Sequence, residues 1–361
     1  MRKGLIGGAV GLVAAGAGAA LVADHRVAQQ RRRAAGSDAV FAPATPTRSG
    51  FVGADDGLPL FYEQHGPDDA PVTVVFAHGF CLDHDIFVLQ QRALAAAFGP
   101  QARSIAYDHR SHGRSGRSDA EHATIDQLGA DLRAVVDALA PTGPLVLVGH
   151  SMGGMTVMTL AGTHPELFGP EGRVKGVLLA STSPGKLAAV TLGMPALMAK
   201  LKGPVLPLLL GGARRSTRVV ERSRARLTDV AWVFVKRLSF GPDVDPAVVE
   251  LVTTTIGRTG VDVIADFFPA LMAHDKLAAL EHLADTPVVI VAGADDVITP
   301  VEHSKEIAAA VPHARLVIVP ATGHMALLEQ PGAVDGPLAE LIEDALATVR
   351  PVRRRRGKVV R

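Results

Sequence analysis

From residue 50 onward, short runs of apolar residues alternate with longer segments in which apolar and polar residues are mixed. Runs that are apolar on both faces are typical of parallel strands that helices cover on both sides. Six segments have this pattern, namely 72–77, 103–107, 145–149, 176–181, 287–293 and 315–320. They predict the strands of one sheet.

Two further segments complete the predicted fold. Residues 51–65 have the pattern of a β-hairpin around the turn Asp55-Asp56-Gly57. Residues 125–140 have apolar positions at helical spacing. The predicted fold class is therefore α/β, an open and mostly parallel sheet with helices on both faces. Because ligands bind at the carboxyl ends of the strands in such sheets, the residues directly after each run are the candidates for chemistry.

The N-terminus differs from the rest of the chain. Residues 4–23 carry no charge over a length that can span a bilayer as a helix, and Arg26 and residues 31–33 add a basic flank. We favour a retained single-span membrane anchor with the catalytic domain on the cytoplasmic side, since basic flanks stay cytoplasmic. The alternatives are a surface helix and a secretory signal cleaved near residues 17–19, which would place the mature protein outside the cell.

Composition and charge exclude several classes of protein. Of the 361 residues, 48% are hydrophobic and 20% are charged, which is enough apolar material for a large core. A net charge of +1 gives no electrostatic basis for binding nucleic acid. Cys81 is the single cysteine, so an internal disulfide and a cysteine-based metal cluster are excluded. No motif for a metal or a cofactor is present, and we predict neither.

Small residues surround Ser151 in the segment Gly149-His150-Ser151-Met152-Gly153, which follows the predicted strand 145–149. A sharp strand-to-helix turn needs such neighbours, and the segment matches the G-x-S-x-G nucleophile elbow. On this motif, and on the chain order Ser, acid, His, the sequence resembles the α/β-hydrolase superfamily. The likeness is to its esterase-like and lipase-like serine hydrolases with a cap. It extends over about residues 50–348, although residues 184–285 themselves resemble no known segment.

The resemblance implies an enzyme with a Ser-Asp-His triad. Ser151 would be the nucleophile, and His324, after the last predicted strand, would be the base that accepts its proton. Asp296 would hold the imidazole in one tautomer. The backbone N–H groups of Phe80 and Met152 would be the oxyanion donors.

The choice of acid rests on spacing, because Asp295 and Asp296 are adjacent. The family pattern between Gly293 and Pro300 places the acid at Asp296, which leaves Asp295 as a loop-capping or solvent-facing carboxylate. Some relatives carry the acid after the preceding strand instead, but residues 180–184 contain no carboxylate here.

Other polar residues near these motifs are predicted to be structural. His150 is expected to pack under the elbow, and Cys81 to pack within its loop. We interpret His78, His109 and His112 as hydrogen bonders that hold loops, with a substrate contact left open for the last two.

Residues 184–285 separate two predicted strands by far more than one crossover helix needs, and they indicate a mainly helical cap or lid. Its segment 192–212 is rich in Leu, Met and Pro, and a cationic stretch follows at 214–226. The apolar residues either pack on the core or form an acyl tunnel or a lipid-facing surface. With the possible anchor, they favour a lipophilic ester as the small-molecule substrate and some association with membranes.

The resulting hypothesis is a carboxylic ester hydrolase that forms an acyl-enzyme. The alternatives are a thioesterase, a cofactor-free haloperoxidase-like perhydrolase, and a non-catalytic hydrolase-fold protein that binds a ligand.

The predicted organisation has six parts. They are an anchor or signal at 1–23, a linker at 24–49, a first part of the hydrolase core at 50–183, a cap at 184–285, a second part of the core at 286–348 and a basic tail at 349–361.

Overall fold

Eight strands form one sheet in the computed structural model, which describes residue 41, residues 44–190 and residues 231–349. Their order across the sheet is β1-β2-β4-β3-β5-β6-β7-β8. The first two strands form the predicted hairpin, β2 pairs with β4 antiparallel, and all later neighbours are parallel. The strands are β1 Arg48–Gly53, β2 Pro59–His65, β3 Val72–Ala77, β4 Ala102–Tyr107, β5 Leu145–His150, β6 Val174–Ala180, β7 Val288–Gly293 and β8 Arg315–Val319.

Helices cover both faces of the sheet. They are α1 Val88–Phe98, α2 Ile125–Leu139, α3 Met152–Thr163, α4 Pro246–Arg258, α5 Val261–Ala273, α6 Val301–Ala310, α7 Ala326–Glu329 and α8 Pro331–Val349. Short 3₁₀ helices lie at His84–Phe87, Gly99–Gln101, Pro165–Leu167, Leu187–Ala189 and Ala278–Leu283, and residues 231–239 are also helical.

Alternate side chains of the central strands enter two separate apolar layers. Val74 and Phe76 of β3 pack in a cluster with residues of α1 and α8, such as Leu94 and Leu341. Val75, one position along, packs in a second cluster with residues of α2, α3 and α6. The period of two residues along a strand produces this division, and it explains why the central strands are apolar throughout.

The six predicted strands and the predicted helix at 125–140 are present, with ends that shift by one or two residues. The prediction that the last strand is buried on both faces was wrong. β8 lies at the edge of the sheet with one neighbour, and the side chain of Ile318 is 43% exposed. An edge strand lacks the second neighbour and the full helical cover that bury β3 to β7.

The described part of the segment between β6 and β7 is mainly helical, with α4 and α5 as its longest elements. A third apolar cluster joins α5 to the core through Val263, Phe267 and Leu271. The segments 192–212 and 214–226 lie outside the described residues, so their role as a lid stays a prediction. The predicted anchor and the basic tail lie outside them as well. None of the described helices combines the length and the apolar character that a bilayer span requires.

Candidate active site

Ser151 occupies the turn between β5 and α3 in a strained conformation, with φ 52° and ψ −116°. Few residues other than glycine adopt a positive φ, and those that do are concentrated at functional sites. The neighbouring glycines permit the close approach of the turn to the sheet. A Cβ at Gly153 would lie 1.9 Å from the Ala77 carbonyl oxygen, and one at Gly149 would lie 2.6 Å from the backbone of Gly154.

Two hydrogen bonds to the backbone of Ser151 hold the turn in place. The N–H of Ser151 donates to the Ala180 carbonyl at 3.0 Å, and the Thr182 hydroxyl donates to the Ser151 carbonyl at 2.7 Å. The helix α3 begins at the next residue, Met152. Its N-terminus therefore directs free N–H groups and the positive end of the helix dipole towards the serine.

The structure brings His324 and Asp296 together at the carboxyl ends of β8 and β7. His324 Nδ1 donates to Asp296 Oδ2 at 2.8 Å, and the Thr299 hydroxyl donates to the same oxygen at 2.7 Å. Both His324 and Asp296 are buried, whereas Asp295 is exposed and its N–H donates to the Thr322 carbonyl. Of the two adjacent aspartates, Asp296 is therefore the one whose carboxylate contacts His324.

The carboxylate of Asp296 is held in its charged form. Burial acts to raise its pKa, but the charge of His324, its hydrogen bond and those from Thr299 act more strongly together, so the pKa of Asp296 is lowered. An ionised carboxylate accepts hydrogen bonds only, which leaves the proton of the imidazole on Nδ1. His324 Nε2 is therefore unprotonated in the neutral ring and can act as a base.

His150 connects the turn at Ser151 to the loop that carries His324. Its Nε2 donates to the His324 carbonyl at 3.1 Å, and the two rings lie 5.0 Å apart. Burial lowers the pKa of His150 to about 3, so the ring is neutral and serves packing under the turn, as predicted. Within the described residues, no hydrogen bond joins the Ser151 hydroxyl to the His324 ring; such bonds are often long without substrate.

The loop after β3 lies against the serine turn. A Cβ at Gly79 would stand 2.9 Å from His150 Nδ1 and 3.1 Å from Ser151 Cβ. The N–H of Leu82 donates to the Gly79 carbonyl at 3.2 Å, which closes a turn around Phe80. The N–H groups of Phe80 and Met152 have no hydrogen-bond acceptor among the described residues. Both are therefore available to a bound oxygen atom.

The remaining histidines of this region hold the loops, as predicted. His78 Nδ1 donates to the Gly79 carbonyl at 2.7 Å, and His78 Nε2 accepts from the N–H of His109 at 2.9 Å. The ring of His112 contacts the Arg110 carbonyl at 2.9 Å. Burial lowers the pKa of His109 to about 3 and that of His112 to about 4, so both rings are neutral. Cys81 is buried, and burial raises the pKa of its thiol.

A charged network beside this loop was missed in the sequence analysis. His84 Nδ1 lies 2.8 Å from Asp108 Oδ1, and His84 Nε2 lies 3.6 Å from Glu63. Burial opposes the charge of His84, but Asp108 and Glu63 outweigh burial and raise its pKa to about 10. No local motif marks these residues, because they are distant in sequence. The one local signal in the sequence is the run of three ionisable residues Asp83-His84-Asp85, which could have indicated a charged site.

The same three residues, Asp83, His84 and Asp85, form the one group in residues 44–190 and 231–349 whose oxygen and nitrogen atoms lie close enough to bind a metal ion. Each already has a protein partner. Asp83 and Asp85 both accept from Arg258, at 2.8 and 2.9 Å, and His84 pairs with Asp108. We interpret the group as an ion-pair network.

Apolar side chains surround the two residues with available N–H groups. Met152 shares the third apolar cluster with Met155, Leu187 and Phe267, and Phe80 packs against that cluster. The ring of Phe267 lies 6.4 Å from that of Phe80 and 5.3 Å from that of His112. A residue of α5 therefore contacts the walls of the candidate site.

Comparisons with known proteins agree with this fold. The model of the alpha/beta hydrolase family matches residues 74–335. A non-heme haloperoxidase from Rhodococcus erythropolis is 30% identical over 303 residues, which are 81% of this chain and 99% of that protein. A bifunctional esterase/perhydrolase from Acinetobacter calcoaceticus is 36% identical over 136 residues, which are 37% of this chain and 45% of that protein.

A thermophilic esterase from Thermogutta terrifontis has a similar solved structure, with a TM-score of 0.62 and 23% identity over 83% of this chain and 99% of its own. At this identity the likeness shows the fold alone. The family match covers most of the sheet and its helices. The chain therefore belongs to the alpha/beta hydrolase family and is an enzyme of the hydrolase class.

Proposed function

We propose that the protein hydrolyses carboxylic esters through an acyl-enzyme intermediate. The observation that carries the proposal is Ser151, held at positive φ on the strand-to-helix turn, together with the buried pair of His324 and Asp296. Covalent labelling of Ser151 by a fluorophosphonate probe, with hydrolysis of p-nitrophenyl esters, is the experiment that tests it.

The proposed reaction uses only side-chain and backbone groups of this chain. Ser151 Oγ attacks the carbonyl carbon while its proton passes to His324 Nε2, and Asp296 stabilises the imidazolium. The N–H groups of Phe80 and Met152 donate to the oxygen that gains negative charge. The imidazolium then protonates the leaving alkoxide. Water attacks the acyl-enzyme in the same way, which releases the acid and restores the Ser151 hydroxyl.

The surroundings of the site support a lipophilic acyl group. The carbonyl oxygen must lie between the N–H groups of Phe80 and Met152, which places the acyl carbon beside these two residues. Both residues pack with the apolar cluster that contains Phe267. An alkyl chain attached to that carbon gains free energy by leaving water for such surroundings. We propose that Phe267 forms a wall of the acyl site.

Replacing Phe267 with alanine is expected to shift the preference towards longer acyl chains. The side chain is fully buried, so its removal opens space beside Phe80. Two or three additional methylenes in that space should raise kcat/KM for p-nitrophenyl octanoate relative to butyrate by about tenfold or more. A chain-length series of p-nitrophenyl esters measures the change.

Phe98→Ala is the matched control, because Phe98 is a buried phenylalanine of α1 in the cluster on one face of the sheet. It should lower stability without changing the ratio of the two rates. A ratio that moves equally in both variants, or in neither, contradicts the assignment of Phe267.

The names of two relatives favour a second candidate, perhydrolysis. In that reaction hydrogen peroxide replaces water as the attacking molecule, and the acyl-enzyme is released as a peracid. Ser151, His324 and Asp296 would have the same roles. Release of peracid when hydrogen peroxide is added to the ester assay separates this candidate from a strict esterase.

We also propose that residues 4–23 anchor the protein in a membrane, with the hydrolase domain on the cytoplasmic side. The uncharged run and its basic flank support the proposal. The full chain should sediment with membranes, whereas a chain that begins at residue 44 and keeps β1 should stay in the supernatant and hydrolyse small esters. Protease accessibility in oriented vesicles measures sidedness. An extracellular mature chain beginning near residue 20 or 24 would replace the anchor with a signal peptide.

A further inference from the structure

Ion pairs join the loop that carries Phe80 to the helix α4, which lies between β6 and β7 in the chain. We define the oxyanion loop as residues 78–85. Arg258, the last residue of α4, donates from Nη1 to Asp83 Oδ2 at 2.8 Å and to Asp85 Oδ2 at 2.9 Å. These pairs connect positions more than 170 residues apart in sequence. A helix of the segment between β6 and β7 therefore contacts the loop directly.

The paired carboxylate of Asp83 lies in unfavourable surroundings. Its side chain is 4% exposed, and Asp85 and Asp108 are close to it. Burial, followed by these two negative charges, raises the pKa of Asp83, and Arg258 opposes the shift. Arg258 is half exposed, whereas Asp83 is buried. Removing Arg258 would therefore leave the carboxylate of Asp83 buried without its cationic partner, which is unfavourable where Asp83 now lies.

The position of Asp83 is coupled to that of Phe80 by short-range geometry. Cys81 has a φ of 62°, and the Leu82 N–H donates to the Gly79 carbonyl, so the turn around Phe80 is tightly constrained. Asp83 follows this turn directly and caps the 3₁₀ helix His84–Phe87 by accepting from the Asp85 N–H at 3.2 Å. We therefore expect a displacement of Asp83 to shift the turn that carries the Phe80 N–H.

The core supplies the second attachment of the loop. The His84 N–H and ring both contact Asp108 Oδ1, at 2.9 and 2.8 Å. The downstream half of the oxyanion loop is thus held both by Asp108, which follows β4, and by Arg258 of α4. Both attachments converge within five residues of Phe80.

We propose that Arg258 is a positioning residue through which the cap helix α4 sets the Phe80 N–H for oxyanion stabilisation. This inference rests on the proposed ester hydrolysis. The position of the Phe80 N–H then depends on the contact with α4, so the catalytic rate depends on the segment between β6 and β7 as well as on the core.

Arg258→Gln is expected to lower kcat for p-nitrophenyl butyrate by about tenfold, less than the 10²–10³ typical of losing an oxyanion donor outright, with KM changed by less than about twofold. Arg258→Lys should recover most of the rate, because a cation remains near Asp83. Arg133→Gln is the matched control, since Arg133 also pairs with two carboxylates, Asp137 and Glu166, away from the site. It should leave kcat unchanged.

A double-mutant cycle identifies the partner. Asp83→Asn keeps an oxygen that can cap the 3₁₀ helix but removes the buried charge. In that background Arg258→Gln should cost less than about twofold in kcat, because the pair with the buried Asp83 is already absent and only the pair with Asp85 remains to be lost. The rate of fluorophosphonate labelling should follow kcat in all variants, since the phosphoryl oxygen occupies the same donors.

Four outcomes overturn the inference: an unchanged kcat in Arg258→Gln, a change confined to KM, a full additive cost in the Asp83→Asn background, or an equal loss in Arg133→Gln. In each of these cases wild-type hydrolysis and Ser151 labelling still stand, and the proposed function survives. Absence of wild-type labelling and hydrolysis would instead remove the proposed function, and the inference with it.

Discussion

Ser151→Ala is expected to lower kcat for p-nitrophenyl ester hydrolysis by about 10⁴-fold or more and to abolish covalent labelling by a fluorophosphonate probe. Ser151 is the proposed site of the acyl bond, and the oxyanion donors alone retain only residual catalysis. The strained φ of 52° at Ser151 and the adjacent N-terminus of α3 favour attack at this hydroxyl. Mass spectrometry of the labelled peptide identifies the residue, and steady-state kinetics give kcat.

Cys81→Ala is the control for this experiment. Cys81 directly follows Phe80, and its thiol is a second side chain that a probe of this kind could label. Its thiol is buried and its pKa is raised, so little thiolate is present to react. Labelling of Ser151 should persist in this variant. Labelling that survives Ser151→Ala, or that maps to Cys81, would contradict the assignment. A folded wild-type protein that is never labelled would favour the non-catalytic ligand-binding alternative.

The second large effect is expected at the acid. Asp296→Asn should lower kcat by about 10⁴-fold, because an asparagine at this position stabilises the wrong tautomer of His324 and cannot stabilise the imidazolium. The same change at the exposed Asp295 should leave most of the activity, since Asp295 makes no side-chain contact with His324 among the described hydrogen bonds. The two isosteric variants differ only in position, and their kcat values are measured side by side.

Circular dichroism and thermal unfolding of both variants serve as the control for folding. Asp296 also accepts hydrogen bonds from Ile298, Thr299 and the Thr299 hydroxyl, so Asp296→Asn should lower stability to some extent. A folded Asp296→Asn enzyme with near wild-type kcat, combined with an inactive Asp295→Asn enzyme, would show that the register taken from Gly293 and Pro300 is wrong.

Much of the fold could be predicted because local patterns report local burial. The apolar run at 72–77 becomes β3, whose six residues are all buried, and the mixed pattern at 125–140 becomes α2. The partial exposure of β8 could not be predicted in this way. Its composition suits a central strand, but its place at the edge depends on which strands pair, and pairing is a long-range property.

In the candidate site, too, local features could be predicted from the sequence and long-range contacts could not. The requirement for small residues around Ser151 is local, since Gly149 and Gly153 are needed by one sharp turn, and a motif can therefore report it. The contact of His150 with the His324 carbonyl joins residues 174 positions apart. A local pattern in a single sequence cannot indicate a contact between positions so far apart along the chain.

By itself, the sequence determined the type and approximate bounds of the strands, the position of the elbow, and a resemblance sufficient to nominate Ser151, Asp296 and His324. Those features depend on side-chain periodicity and on the conformational freedom of a few residues, which are properties of short segments. Only the tertiary structure decided that Asp296 is buried against His324 while Asp295 is exposed, and that Arg258 reaches the oxyanion loop. Burial and ion pairing at these positions arise from elements that meet across the fold, and the free energy that selects them is absent until those elements pack.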